Sequence, residues 1–445
     1  MEPAAEAEER FVDRVGAIVR ALAPGERFTA ACAGEASDFA RMNRGRVRQA
    51  GSVRQDELTI RLVRGSRHAS HTLSMPGDPS ADREAIASAV GGLRAALPDL
   101  ADDPHLLLAE RVESTRAARG GPLPPAEAVV DEVLAAAHGL DLVGIYAAGP
   151  VWRGFANSEG QRNWHSAATF NLDWSLHDRA DKAVKCAYAG FEWSGAGLVA
   201  RMDEARERLA LVARPAMALP PGRYRAFLAP SALGEIATLL GWGGFSARAL
   251  ETRQSPLSRM RAGARLDARV SIDEDVAGGV APAFQAEGFV RPARVPLVHE
   301  GELVGALTSP RTAREFSLAA NGANAEEMPE ALAMTGGDLA AADALDALGD
   351  GLWIGNLWYA NYSDRPACRI TGMTRFATFR VEGGRIVAPV DVLRFDDTLY
   401  RMLGSSLEAL TRETELLLSA ESWHSRQLAS ARLPGALLRE MSFTL

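Results

Sequence analysis

Apolar positions recur at helical spacing over residues 8–22, where Phe11, Val12, Val15, Ile18, Val19 and Leu22 mark one stripe. Pro24-Gly25 ends that run. Four short stretches suited to strands follow, at 27–33, 38–50, 58–63 and 71–75, with glycine-containing breaks between some of them, as an antiparallel meander requires. Residues 82–97 return to helical spacing, with Ile86, Val90, Leu93 and Leu97 on one face and Pro98 directly after. Helix, antiparallel strands, helix is an α+β unit of about 110 residues.

The run Gly-Gly-Pro-Leu-Pro-Pro at 120–125 reads as an internal linker, near 118–126. A helix is predicted after it at 126–138, then strands at 140–147, 168–176 and 183–193 and a charged helix at 198–211. Pro215 and Pro220-Pro221-Gly222 mark the main break. Residues 1–214 are therefore expected to form an N-terminal helix-and-antiparallel-sheet domain, and residues 222–445 a β-rich C-terminal domain. In the second part a strand at 223–228 leads into a helix near 231–240, and short strands are predicted at 295–299, 302–306, 351–359, 376–381 and 385–387. Gly383-Gly384 between two apolar runs is a hairpin signal. Leucines at 403, 407, 410 and 416–418 predict a long helix over 398–418, and 433–445 reads as a terminal strand. No repeat of solenoid period is present.

Composition narrows the class. A chain of 445 residues has room for two or three domains, and 47% hydrophobic with 24% charged residues is a globular balance, not a disordered one. No apolar window is long enough to span a bilayer, and the start Met1-Glu2-Pro3-Ala4-Ala5-Glu6 is acidic where a signal peptide is basic. The expectation is a cytoplasmic protein with no membrane partner. A net charge of −8 offers no basic field for gripping phosphates, so nucleic acid is not expected as a partner either. Lys182 and Lys185 are the only lysines among 49 basic residues, a bias typical of a GC-rich bacterial genome. Cys32, Cys186 and Cys368 lie far apart, which excludes a disulfide framework and the usual structural zinc spacings.

Familiar catalytic signatures are missing: no Gly-x-Ser-x-Gly elbow, no phosphate loop, no dinucleotide fingerprint and no His-Glu-x-x-His. His68 and His71, three apart in a strand-like stretch, point to opposite faces and are poorly placed to share a metal. His299 precedes a Glu-Gly turn and reads as a hairpin residue. Cys368 lies between Arg365 and Arg369, cations that could lower a thiol pKa, but has no histidine nearby in the chain. Trp353, Trp358, Tyr359 and Tyr362 are either a peptide-recognition platform or core packing.

The C-terminal half carries a more specific pattern. Gly351-Leu-Trp-Ile-Gly-Asn-Leu-Trp-Tyr-Ala-Asn361 is followed by Thr371-Gly-Met-Thr-Arg-Phe376, Val381-Glu-Gly-Gly-Arg-Ile386, Pro389 and Leu393-Arg-Phe395. This series, with the tail Leu433-Pro-Gly-Ala-Leu-Leu438 and the turn Ala156-Asn-Ser-Glu-Gly160, resembles the TldD/PmbA family of peptidases, historically called modulators of DNA gyrase. The resemblance spans nearly the whole chain. It implies a two-domain α+β protein that dimerises around a central cavity.

In that family the TldD type carries His-Glu-x-x-x-His on a helix, with a cysteine nearer the C-terminus as a further ligand. Such a set would leave an open zinc position for water beside a general base. Laid against the motif, Glu235 takes the base position, whereas Gly234 and Leu239 take the two histidine positions; no cysteine follows Phe395. The resemblance therefore implies a TldE/PmbA-like member with no catalytic residue and no metal of its own. Its zinc would reside in a TldD-like catalytic partner, and the pair would act as a metallopeptidase on small or unfolded peptides. The alternatives are a homodimeric peptide-binding protein without hydrolysis, and a metallopeptidase with unusual ligands such as Glu235 with His299, Cys368 or His424. Trp358, Tyr359, Asn361 and Arg375 are the candidate peptide contacts, Arg375 as a fork for a carboxylate or as one arm of an internal ion pair.

Overall fold

The computed structural model describes residues 2–179 and 182–444; the predicted strand end at residue 445 lies outside them. In the first half the strands are β1 (Arg27–Asn43), β2 (Arg46–Arg64), β3 (Arg67–Ser74), β4 (Thr115–Arg119), β5 (Asp141–Asn157), β6 (Arg162–Arg179) and β7 (Lys182–Gly190). They form one sheet in the order β3-β2-β1-β5-β6, in which the start of β6 pairs in parallel with β4 and its end antiparallel with β7. The four short strands expected between 27 and 75 are three long ones. The expected strand 38–50 is in fact folded at Arg44-Gly45, both at positive φ, into the β1–β2 hairpin. The 120–125 run joins β4 to the following helix and does not separate two sheets.

Helices α1 (Glu2–Ala21) and α2 (Pro79–Ala96) cover one part of this sheet. Phe11, Val15 and Ile18 of α1 and Ile86, Val90 and Leu93 of α2 bury themselves against Phe28, Leu58, Ile60 and Trp152. Each such side chain contributes about 1.5–3 kcal/mol by leaving water. Beneath them Arg14, 2% exposed, bonds Asp82 at 2.7 Å and Asp56 at 3.2 Å, and Asp56 also accepts from the Trp152 indole at 2.7 Å. Helices α3 (Ala126–Ala136) and α4 (Gly195–Val212) cover the β5–β7 end through Val129, Val133, Leu198, Met202 and Leu209.

The second half holds β8 (Gly222–Leu228), β9 (Ile272–Glu274), β10 (Val295–His299), β11 (Glu302–Leu303), β12 (Ala331–Met334), β13 (Gly351–Asp364), β14 (Arg369–Glu382), β15 (Arg385–Pro389), β16 (Arg394–Thr398), β17 (Leu407–Leu418) and β18 (Ser430–Phe443). β18-β16-β14-β13-β8 form a circuit that closes because β8 pairs with both β13 and β18. Into its hydrophobic interior packs α5 (Pro230–Gly241), through Leu233, Ile236, Ala237 and Leu240 against Leu228, Ile354, Leu433 and Leu438. Pro230 stands in the first turn of that helix, where its missing N–H costs nothing. The Gly383-Gly384 hairpin forms as expected, both residues at positive φ.

The helix expected over 398–418 is absent: the segment is the end of β16, one turn at Arg401–Ser405, and strand β17. Two irregularities in the β17–β18 register, between Leu407 and Ala409 and between Leu410 and Thr414, break the two-residue alternation. Buried Leu407 and Leu410 consequently sit three apart, imitating a helical stripe.

Between β17 and β18 the chain leaves the second sheet and touches the first. Arg426 is 7% exposed and donates to the carbonyls of Gly149 and Thr169, both at 2.9 Å, and to the Thr169 hydroxyl at 2.7 Å. Its burial pushes the guanidinium pKa down to about 10. Gln55 in β2 donates to the carbonyl of His424 at 2.5 Å. Among the described residues no helix is long and apolar enough to cross a membrane.

Candidate functional site

A cavity of about 400 Å³ opens where β7 and α4 of the first sheet face the β8–α5 junction, β13 and β17 of the second. Its walls alternate in charge. Arg208 pairs with Glu204 one helical turn away and lays its guanidinium 4.3 Å from the centre of the Trp353 ring. Arg201 stacks on Tyr188 at 4.3 Å, and Lys185 pairs with Asp173 at 3.4 Å. Surrounding protein pushes the Glu415 carboxyl above its ordinary value, against the pull of Arg201 and Arg208. Burial raises the Cys186 thiol to about 12, which keeps it protonated near neutrality.

The motif helix α5 starts at this cavity, with Pro230 and Ser231 in its wall. Glu235 is one turn beyond Ser231 on the same face. Its side chain reaches solvent, yet the protein around it raises its carboxyl pKa, with Lys185 opposing that shift. Gly234 packs on β17 so closely that a Cβ there would meet Leu417 Cδ1 at 2.9 Å. Leu239 is 2% exposed in the core, and its carbonyl accepts from the Tyr362 hydroxyl at 2.9 Å. A glycine and a buried leucine offer zinc no donor atom, so the ion does not fit this pair of positions. Among the described residues no group of three or more His, Cys, Asp or Glu could hold a metal, and Glu235 is not gathered with His299, Cys368 or His424.

The aromatic cluster of the sequence divides in space. Trp353 is buried beside Phe379 and Arg208, and Tyr362 packs against the main core under Arg365, whose guanidinium lies 5.0 Å from its ring centre. Trp358 and Tyr359 are 43% and 75% exposed, with ring centres 5.5 Å apart. Arg375 from β14 stacks 3.9 Å from the Trp358 ring centre beside a groove of about 190 Å³ that also includes Lys182 and Val392. Of the four candidate contacts, Trp358, Tyr359 and Arg375 come together; Asn361 instead turns its side-chain oxygen back to the Tyr362 N–H at 2.8 Å. The β13–β14 register is irregular between Trp358 and Asn361, and Tyr359 and Phe376 both have positive φ. Non-glycine residues in that conformation are strained, and such strain collects at working surfaces.

Cys368 is fully buried, and burial raises its thiol to about 12 despite Arg365 and Arg259. His68 and His71 pair with Val63 and Ile60 on β2, three positions apart and so on opposite faces, and His68 sits 3.2 Å from Asp103. His299 ends β10 at the turn into β11. The charged wall of the large cavity was not legible in advance, because Lys185, Arg208 and Glu415 come from three distant segments with no shared motif.

A family model described as the PmbA/TldA metallopeptidase C-terminal domain matches residues 221–445. No curated protein matches this chain. Among solved structures, TldE from Thermococcus kodakarensis is similar with a TM-score of 0.75 at 14% identity, covering 98% of this chain and 100% of that one. A candidate modulator of a DNA gyrase from Thermotoga maritima gives 0.72 at 13% identity, over 98% and 100% of the two chains. Another, from Bacteroides thetaiotaomicron, gives 0.72 at 14% identity over 97% of each chain. At these identities the likeness is one of fold.

Proposed function

This chain belongs to the PmbA/TldD metallopeptidase family, and from that premise we propose that it is the TldE/PmbA-like, metal-free subunit of a two-chain peptidase. Its partner is a TldD-like chain that carries the zinc and performs the hydrolysis, in the cytoplasm of a bacterium. The observation that carries this reading is the pair at 234 and 239: the family's ligand positions hold a glycine pressed against Leu417 and a core leucine.

What remains for this chain is to shape and bind. Its division at about residues 214–222 gives an N-terminal and a C-terminal domain, and the cavity lies where their sheets meet. The mixed charges of Arg201, Glu204, Lys185 and Glu415 suit a peptide backbone with varied side chains. Trp358, Tyr359 and Arg375 offer an aromatic and cationic edge on an irregular strand, along which an extended peptide can add main-chain hydrogen bonds.

The test is metal content and peptidase activity of the purified chain, alone and after co-expression with a TldD-like chain. The expected result is no stoichiometric zinc and no cleavage alone, and one zinc per heterodimer with cleavage after pairing. Zinc and cleavage in the lone chain would refute the reading. Peptide binding by a homodimer that forms no complex with a TldD-like chain would replace it with a non-hydrolytic binding protein.

A further inference from the structure

A second cavity, of about 390 Å³, lies on the other side of the first sheet from α1 and α2. Cys32, Leu58 and Ile60 face those helices, so the alternating neighbours Ala31, Ala33, Glu57 and Thr59 face away from them. The two alanines leave the sheet recessed, and loops of the second half roof the recess through Phe284, Arg291 and Glu330. The roof is fixed to the sheet: Arg61 pairs with Glu287 at 3.2 Å, and Gln161 donates to the Gly288 carbonyl at 2.6 Å.

Arg153 stands in this recess, opposite Ala33 in the β1–β5 register. Its guanidinium donates to the carbonyl of Trp152 at 2.8 Å, and among the described residues it forms no ion pair. Burial opposes its charge; Glu330, Glu35 and Glu57 support it only from a distance. Arg291, across the cavity, is already committed to Glu330 and, at 3.9 Å, to Glu274, while its buried Nε has no partner. At the rim, Glu57 and Glu326 are exposed carboxylates without an ion-pair partner among the described residues.

A half-buried guanidinium that faces the cavity with most of its donors unused is open to a partner, since a partly desolvated charge gains from pairing. Its planar fork matches a carboxylate better than a point charge does. A simple anion would feel the repulsion of Glu57 and Glu326, whereas a zwitterion brings both signs. The volume lies near the small end of the roughly 300–1,000 Å³ common for ligand pockets, which suits two or three residues better than an extended strand.

We infer that this recess binds the free ends of a short peptide, a di- or tripeptide, with its terminal carboxylate on Arg153 and its ammonium facing Glu57 and Glu326. The inference goes beyond the proposed pairing with a catalytic chain and does not depend on it. A site of this kind would hold small peptides of the size that exhaustive peptide hydrolysis releases.

The test is calorimetric titration of the full chain, without any partner, using Ala-Ala-Ala, its C-terminal amide and its N-acetyl form. Trialanine is expected to bind, and each blocked form to bind at least tenfold more weakly. Arg153→Gln should abolish the distinction between the acid and the amide. Ala33→Leu, which fills the recess and leaves every charge in place, should block binding. No binding of trialanine to the folded wild-type chain, equal binding of all three probes, or unchanged binding by Ala33→Leu would each overturn the inference. The probe comparison on the wild-type chain decides even if Arg153→Gln does not fold. Because no hydrolysis and no second chain are involved, failure here leaves the subunit reading standing, and failure of that reading leaves this one.

Discussion

His165 offers a way to weigh the contact between the two halves. It lies on β6 with 2% of its surface exposed, and its Nε2 is 2.9 Å from the carbonyl oxygen of Val280, in the loop after β9. A carbonyl can only accept, so Nε2 carries the proton and the neutral ring satisfies the bond. Burial, aided by the charges of Arg119, Arg153 and Arg291, pushes the imidazole pKa down to about 4, against the bond to Val280, which resists. In the unfolded chain the same ring titrates near ~6.5. Above that pH neither state is protonated, and the fold suffers no penalty.

As the pH falls below ~6.5 the unfolded chain takes up a proton that the folded chain refuses, and stability drops by about 1.4 kcal/mol per pH unit. The loss levels off near 3 kcal/mol once the pH has passed about 4. His165→Gln keeps an amide donor for Val280 and does not titrate. Urea unfolding of both proteins at about pH 7 and about pH 5 isolates the effect, because every other group cancels in the difference. The variant should gain about 2 kcal/mol relative to wild type on going to the lower pH. A difference that stays constant between the two conditions would refute a neutral, buried His165.

Two further outcomes follow from the packing. Arg14→Met should cost about 3–5 kcal/mol in denaturant unfolding, because it strands the Asp82 carboxylate in the core and leaves Asp56 with Arg10 as its only cation; adding Asp56→Asn and Asp82→Asn should recover much of that loss. Installing histidines at Gly234 and Leu239 together should lower stability by at least ~2–5 kcal/mol, the usual cost of losing a buried leucine, with crowding by Leu417 added at position 234. Metal analysis of that double variant should still show no stoichiometric zinc, because no cysteine follows Phe395 to act as a third ligand; a bound zinc would mean that two histidines suffice there.

Much of the fold was legible where local chemistry and tertiary packing agree. The stripe of α1, the start of α5 at Pro230 and the turn at Gly383-Gly384 each follow from a few adjacent residues. β17 shows the opposite case: its alternation is interrupted by irregular pairing with β18, so the leucines that pack against a sheet are spaced as on a helix. Length was also concealed. β1 and β2 run through Gly34 and Gly51 without a break, because pairing with β2 and β5 holds Gly34 and pairing with β1 holds Gly51, and this could not be read locally. The helix near 231–240 was readable from its apolar spacing, but the cavity beside it depends on side chains from β7, α4 and β17 meeting across two sheets. The aromatic cluster left core packing and surface recognition open in the sequence, and the irregular strand distributes its residues to both environments.

The insertion of Arg426 makes the boundary in the chain differ from the boundary in load. By sequence the loop between β17 and β18 is a hairpin of the second sheet, but its guanidinium is anchored in β5 and β6 of the first. Hinging the halves apart would require withdrawing a charged side chain from a dry socket and leaving the Gly149 and Thr169 carbonyls bare. The connection thus acts as a rivet, and the gap between the sheets keeps one width. Any ligand that enters between the sheets then meets a slot of fixed shape and charge, with accommodation left to side chains and not to the jaws.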